Sequence, residues 1–291
     1  MNQVTDQQII EILRKEAVPA LGCTEPVACA LACAKCKEGL GGVPERLDVL
    51  VSGNIYKNGM GVGIPGTGMV GLPIAAALGA VCGKSEYGLE VLKEVNVGDN
   101  LQRAKDMLGQ VTVSLKEDAP DKLYAEALAT KGNDTVKVII AHTHTNIVLV
   151  EKNGEEIFKR EFRLDTSKPE DKGPELSVKR IWDFVHEVDV KDIEFVLQGA
   201  EMNKAISAEG LNSEYGLQIG KTLKENIDKG LLEDDLLNRT LIRATAASDA
   251  RMDGCPKPVM TNSGSGNQGI TVYLPVVGAA EKFGASREQL A

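Results

Sequence analysis

Gly22-Cys23-Thr24-Glu25-Pro26-Val27 sets a thiol, a hydroxyl and a carboxylate on successive residues at the mouth of a helix-forming run. Pro26 suits a first helical turn, because its missing N–H is one the helix cannot use. Residues 27–37 are rich in Ala, Cys and Leu with no breaker, so a helix is expected there, with the Thr24 hydroxyl as its cap. A thiol at a helix N-terminus feels the positive end of the dipole, which favours the thiolate and gives Cys23 the character of a base or nucleophile. Glu25 pulls the other way. A small apolar role in a buried turn is the competing reading of Cys23.

Residues 258–269, Pro-Val-Met-Thr-Asn-Ser-Gly-Ser-Gly-Asn-Gln-Gly, form a second unusual stretch. Asn262, Ser263, Gly264, Ser265, Gly266 and Asn267 are small, dense in donors and open an apolar segment at 270–280, a pattern that suits a small anion such as a carboxylate. The glycine-rich tract at 59–71 invites the same reading, centred on Gly66, Thr67 and Gly68. Gly61-x-Gly63-x-x-Gly66 and Gly66-x-Gly68-x-x-Gly71 also fit the dinucleotide fingerprint. Pro65 interrupts the first match, and no strand ending in an acid follows at the required distance, so an anion pocket is preferred to a nucleotide site.

His142 and His144 lie two apart on an expected strand and so would share a face; a structural role or a substrate contact is preferred to a metal pair, since only three histidines exist and no third ligand is evident nearby. Cys29, Cys33 and Cys36 have the spacing of a four-iron cluster motif, but i, i+4, i+7 is also one stripe of a helix, and core packing is the expected role. Cys82 ends an apolar helix and Cys255 sits in a turn.

Several elements must position these groups. A short amphipathic helix is expected at 5–16 and a half-buried strand at 46–52. Helices are expected at 72–81 and 101–108, then an antiparallel meander through 111–115, 123–129, 135–142 and 145–151 with turns at 133–134 and 152–154. Residues 165–173 read as a charged linker. From 177 onward the period is helical, with Val178, Ile181, Trp182 and Val185 on one face and further helices through 205, 213–229 and 233–252. The fold class is therefore α/β, of the α+β kind. A mainly helical domain is built from residues 1–45 and 173–291, with an α+β insert at 46–172.

The 291 residues carry a net charge of −9, which argues against a nucleic-acid partner. No apolar run reaches the length of a membrane span, and residues 1–8 lack an apolar leader core, so neither a membrane partner nor secretion is expected. Six cysteines in such a chain read as reduced cytoplasmic thiols.

Taken together, Gly22-Cys23-Thr24-Glu25-Pro26, the 59–71 tract and the 258–269 stretch resemble the L-cysteine desulfidase family, related to the α-chain of iron–sulfur L-serine dehydratases. The likeness runs along essentially the whole chain. It implies a lyase that needs no pyridoxal phosphate and converts L-cysteine to sulfide, pyruvate and ammonia. L-Serine is the rival substrate. It implies Cys23 as the base near Cα, with Thr24, Glu25 and the two donor-rich loops around the substrate. It also implies a 4Fe-4S cluster in the full-length protein. The family's cluster cysteines follow the Asn-Ser-Gly-Ser-Gly motif, whereas no cysteine follows Cys255 here. The resemblance therefore reads the chain as C-terminally truncated, with the metal ligands expected beyond Ala291 and the fragment inactive alone. A non-catalytic binder of small amino acids and a nucleotide-dependent enzyme are the other readings. The oligomer, including a homo-oligomer, is left open.

Overall fold

A computed structural model describes residues 4–160 and 176–291; the linker expected at 165–173 lies outside the described residues. Helix α1 (Asp6–Glu16) opens with a capping box between Thr5 and Gln8. A two-residue strand, β1 (Pro19–Ala20), leads to α2 (Thr24–Leu40), whose N-cap is Cys23. The Thr24 cap expected from sequence is thus displaced by one residue. Cys23 keeps extended backbone angles, Thr24 is already helical, and the Thr24 hydroxyl donates to Glu25 rather than accepting from a helix-end N–H.

The chain continues through β2 (Arg46–Val51), α3 (Gly53–Gly59), β3 (Gly63–Ile64), β4 (Met69–Val70), α4 (Leu72–Val81), α5 (Asn100–Met107) and β5 (Val111–Leu115). Strands β6 (Tyr124–Lys131), β7 (Asp134–Ala141), β8 (Ile147–Lys152) and β9 (Glu155–Lys159) then run antiparallel in sequence. One six-stranded sheet results, in the order β5-β2-β6-β7-β8-β9. Strand β5 departs from the expected meander: it pairs parallel with β2 at the sheet edge. The helices between β2 and β5 supply the long crossover that a parallel pair requires. The Asn153-Gly154 turn joining β8 and β9 has both residues at positive φ, as a type I′ hairpin demands. The glycine tract is no strand–turn–helix. Its centre folds into the β3–β4 hairpin, so the dinucleotide pattern has no structural counterpart.

Helix α2 lies across β6 and β7, and α4 packs on α2. Cys29, Cys33 and Cys36 are fully buried in this layer, and the Cys36 thiol donates to the carbonyls of Ala127 and Val136 at 3.5 and 3.4 Å. Small side chains let α2 and α4 touch backbone to backbone. A Cβ on Gly79 would stand 2.2 Å from the Ala30 carbonyl oxygen. Gly79→Ala is accordingly expected to lower the unfolding free energy by about 1–3 kcal/mol in urea titrations. An unchanged midpoint would mean that the two helices separate freely.

The remaining elements are helical: α6 (Val178–Glu187), α7 (Val190–Ile193), α8 (Phe195–Asn212), α9 (Ile219–Asp228), α10 (Leu236–Met252), α11 (Gly266–Phe283) and α12 (Arg287–Leu290), with β10 (Val259–Met260) before α11. The molecule is thus mixed helix and sheet. Ile206, Ala247, Ala250, Ile270 and Leu274 form the core of the C-terminal helices, while α1 joins them through Ile9 and Ile10 packed with Phe184 and Ile193. No described helix is long and apolar enough to cross a membrane.

Two short strands carry the joint between the chain's ends. β1 pairs antiparallel with β10, Pro19 opposite Met260 and Ala20 opposite Val259. The buried Thr261 hydroxyl donates to the Val18 carbonyl at 2.8 Å, and the Asn203 amide brackets Met260, accepting from its N–H at 2.9 Å and donating to its carbonyl at 3.3 Å. This seam brings the Cys23 turn and the 262–267 loop, more than two hundred residues apart in sequence, into one place.

Candidate functional site

The site is built where the N-terminus of α2 meets the C-terminal end of α10. Cys23 is 8% exposed, and its thiol donates to Glu25 Oε2 at 2.8 Å. The Thr24 hydroxyl donates to the same oxygen at 3.3 Å, and Asn58 Nδ2 donates to Oε1 at 3.2 Å. Burial pushes the thiol up to about 12, with the Glu25 charge adding to the rise and the Arg251 cation opposing it. The dipole argument for a resting thiolate is therefore outweighed. Burial also acts to raise the Glu25 carboxyl, but the hydrogen bonds it receives from Cys23, its own backbone and Asn58 hold it below the ordinary carboxylate value. At neutral pH the pair is a thiol donating to a carboxylate.

Arg251, near the end of α10, lies beneath this pair and is 3% exposed. Its Nη2 donates to the Gly22 carbonyl at 2.7 Å and its Nη1 to Asn267 Oδ1 at 2.8 Å. A Cβ on Gly266 would stand 2.5 Å from Arg251 Nε, so only glycine leaves room there for the guanidinium. Sequence reasoning missed Arg251. A cation in the last turn of a helix is ordinarily a favourable dipole contact at the surface. The available signal was its company: Ala246, Ala247 and Ala250, all buried, share its helix face.

The 262–267 loop closes on itself. Asn262 N–H donates to the Ser265 carbonyl at 3.1 Å, Ser265 N–H donates back at 2.9 Å, and Ser263 and Gly264 turn the corner at positive φ. Ser265 then caps α11 by accepting from Gln268 N–H. Two of the loop's amide donors are thus spent internally. Gly264 faces His144, whose Nδ1 would lie 3.9 Å from a Cβ there.

His142 and His144 do not share a strand face. β7 ends at Ala141, and His142 turns the chain at φ 69°. His142 is held by Asp121, 2.8 Å from its Nδ1, while the half-buried His144 lies within electrostatic reach of Glu25 and Arg251. Burial lowers the His144 pKa and Arg251 lowers it further against the pull of Glu25, so His144 is neutral at pH 7. A cleft of about 370 Å³ opens between this turn and Ser263-Gly264, lined also by Lys15, Glu16, Leu89 and Leu123.

Gly66, Thr67 and Gly68 form the tip of the β3–β4 hairpin, docked on the turn that follows Arg251. Gly66 N–H donates to the Gly254 carbonyl at 3.2 Å. The Thr67 hydroxyl donates to the Ile64 carbonyl at 2.7 Å and accepts from Met69 N–H at 2.9 Å. The anion pocket expected at this tract loses those donors to the hairpin itself and to the Gly254 turn on which it docks.

The described residues do not fit an iron–sulfur cluster. They contain no group of three or more His, Cys, Asp or Glu side chains that could hold a metal ion. The three cysteines of α2 are sealed in the core, and Cys82 and Cys255 stand on other elements.

A family profile described as the serine dehydratase alpha chain matches residues 86–291, most of the chain. The chain belongs to the serine dehydratase alpha-chain family. The matched span includes His144, Arg251 and the 262–267 loop; Cys23, Thr24 and Glu25 precede it. The chain is 49% identical over 287 residues to a UPF0597 protein of Actinobacillus pleuropneumoniae serotype 3, covering 98% of this chain and 66% of that protein. It is 47% identical over 289 residues to a UPF0597 protein of Dichelobacter nodosus, again covering 66% of it. Over 296 residues it is 46% identical to a UPF0597 protein of Parabacteroides distasonis, covering 68% of that relative. The chain thus spans about two thirds of the length of the curated relatives it matches. No solved structure matches it.

Proposed function

We propose that the chain supplies the proton-transfer part of a cytoplasmic lyase that removes the β-substituent of a small L-amino acid, sulfide from L-cysteine or, as the rival substrate, water from L-serine. The observation that carries this reading is the Cys23 thiol donating to Glu25 at 2.8 Å beside the buried Arg251 cation, in a chain of the serine dehydratase alpha-chain family. When Glu25 accepts the thiol proton, the thiolate becomes a base for the Cα proton of a substrate held against it. The Cα–H electron pair forms the Cα–Cβ double bond as the Cβ–S or Cβ–O bond breaks and the leaving group departs with its electrons. The aminoacrylate tautomerises to an imine, and water hydrolyses it to pyruvate and ammonia. No pyridoxal phosphate takes part.

Dependence on a 4Fe-4S cluster is part of this reading, with ligands outside the described residues. The amino-acid binder that forms no product is the alternative outcome. A form of the protein that carries the cluster ligands, loaded anaerobically with iron and sulfide, is expected to release pyruvate from L-cysteine in preference to L-serine. Pyruvate from L-serine alone would reassign the substrate. Calorimetric binding of both amino acids with no pyruvate from either would overturn the lyase reading.

A further inference from the structure

We propose that Arg251 is a positioning residue of the reaction, its guanidinium fork fixing the Cys23–Glu25 pair against the 262–267 loop; the inference rests on the lyase reading above. Arg251 is the side chain that bonds both segments, through the Gly22 carbonyl 229 positions away in sequence and through Asn267. A cation taken out of water is costly unless its donors are matched. Here the match is incomplete, because Nε is buried without a hydrogen-bond partner among the described residues. A purely structural filler at this depth would be served as well by an apolar side chain. The arrangement instead sets a fixed positive charge under the thiol and carboxylate that must pass a proton, and Gly266 gives up a side chain to admit it. The planar fork also fixes direction: one arm orients the turn that carries Cys23, and the other orients the loop that faces His144.

His144 offers a readout independent of turnover. It faces Glu25 from α2 and Arg251 from α10, while Lys15 and Glu16 of α1 and His142 of its own turn line the same cleft. The test is a histidine NMR titration of the full chain, assigned with His144→Gln, run beside kcat and KM for elimination from L-cysteine and L-serine. Arg251→Met is expected to raise the His144 pKa, because a neighbouring cation is lost. Arg251→Lys keeps the charge but not the fork. It is expected to leave His144 low while kcat falls about 10²-fold at nearly constant KM, the scale of a misplaced catalytic group.

Asn267→Ala removes one acceptor of the fork without touching charge and covers the case in which Arg251→Met fails to fold. Combined with Arg251→Lys, it is expected to add no further loss, as for groups acting as one unit. A His144 pKa unmoved in Arg251→Met, full kcat in Arg251→Lys, or losses that multiply in the double variant would each overturn the role of Arg251 while leaving the lyase reading in place. A wild-type protein that forms no product would overturn both.

Discussion

Cys23→Ser is expected to lower elimination by about 10²–10⁴-fold, the range over which a positioned general base contributes, while the fold holds. Serine is close to isosteric here, and its hydroxyl can make the same donation to Glu25 that the thiol makes at 2.8 Å. The helix start does not depend on the cysteine, since Cys23 makes no side-chain capping bond. What changes is proton affinity and softness, because a serine hydroxyl is a far weaker acid than a thiol and its alkoxide lies much further out of reach of the carboxylate acceptor. Steady-state rates with a matched thermal scan check this. A serine variant with wild-type turnover removes Cys23 from the chemistry.

Glu25→Gln has two effects of opposite sign. The Cys23 thiol stands at about 12 chiefly through burial, and next through the Glu25 charge and the hydrogen bond it donates to that carboxylate. Removing the charge lowers the thiol pKa, so at a fixed alkaline pH the thiolate fraction rises and alkylation of Cys23 by iodoacetamide speeds up. Turnover is nonetheless expected to fall, by about 10²-fold, because glutamine cannot take the thiol proton. More thiolate with less catalysis separates a proton acceptor from a mere neighbour. Slower alkylation in the glutamine variant would show that Glu25 promotes the thiolate at rest. Stability follows the same group. Glu25 is held below its ordinary value in the fold, so its contribution is present above the unfolded carboxyl value and is lost as pH falls through the folded one. The glutamine variant lacks that acid-side loss.

Much of the local structure was legible in the sequence because its causes are local. The breaker-free run after Pro26 gave α2, alternation of Leu47, Val49 and Val51 gave β2, and Lys152-Asn153-Gly154 gave the turn after β8, although the strand β9 beyond it was not expected. The buried stripe of Cys29, Cys33 and Cys36 was readable from its helical spacing. Elements whose cause is tertiary were hidden. The parallel pairing of β5 with β2 depends on a crossover, and β1 and β10 are two residues each, too short for any period to show. His142 adopts a positive φ that neither neighbour announces, so the histidine pair was given a strand face it does not have. Cys23, Thr24 and Glu25, which the fold sets in hydrogen-bond contact, were singled out by type and adjacency. Arg251 was not, because its role exists only when α10 meets the turn at Gly22. Thr67 was misleading for the converse reason: a hydroxyl in a glycine-rich loop reads as a ligand donor, yet here it ties its own hairpin.

The claim that Cys23, paired with Glu25, takes the Cα proton is tested most directly by hydrogen exchange with no leaving group involved. L-Alanine in D2O offers a Cα proton and nothing to eliminate, and proton NMR follows the loss of its Cα signal. The account predicts protein-catalysed washout with the wild type and none above background with Cys23→Ser. Equal washout by the two proteins, or none by a wild type that forms pyruvate from L-cysteine, would contradict it.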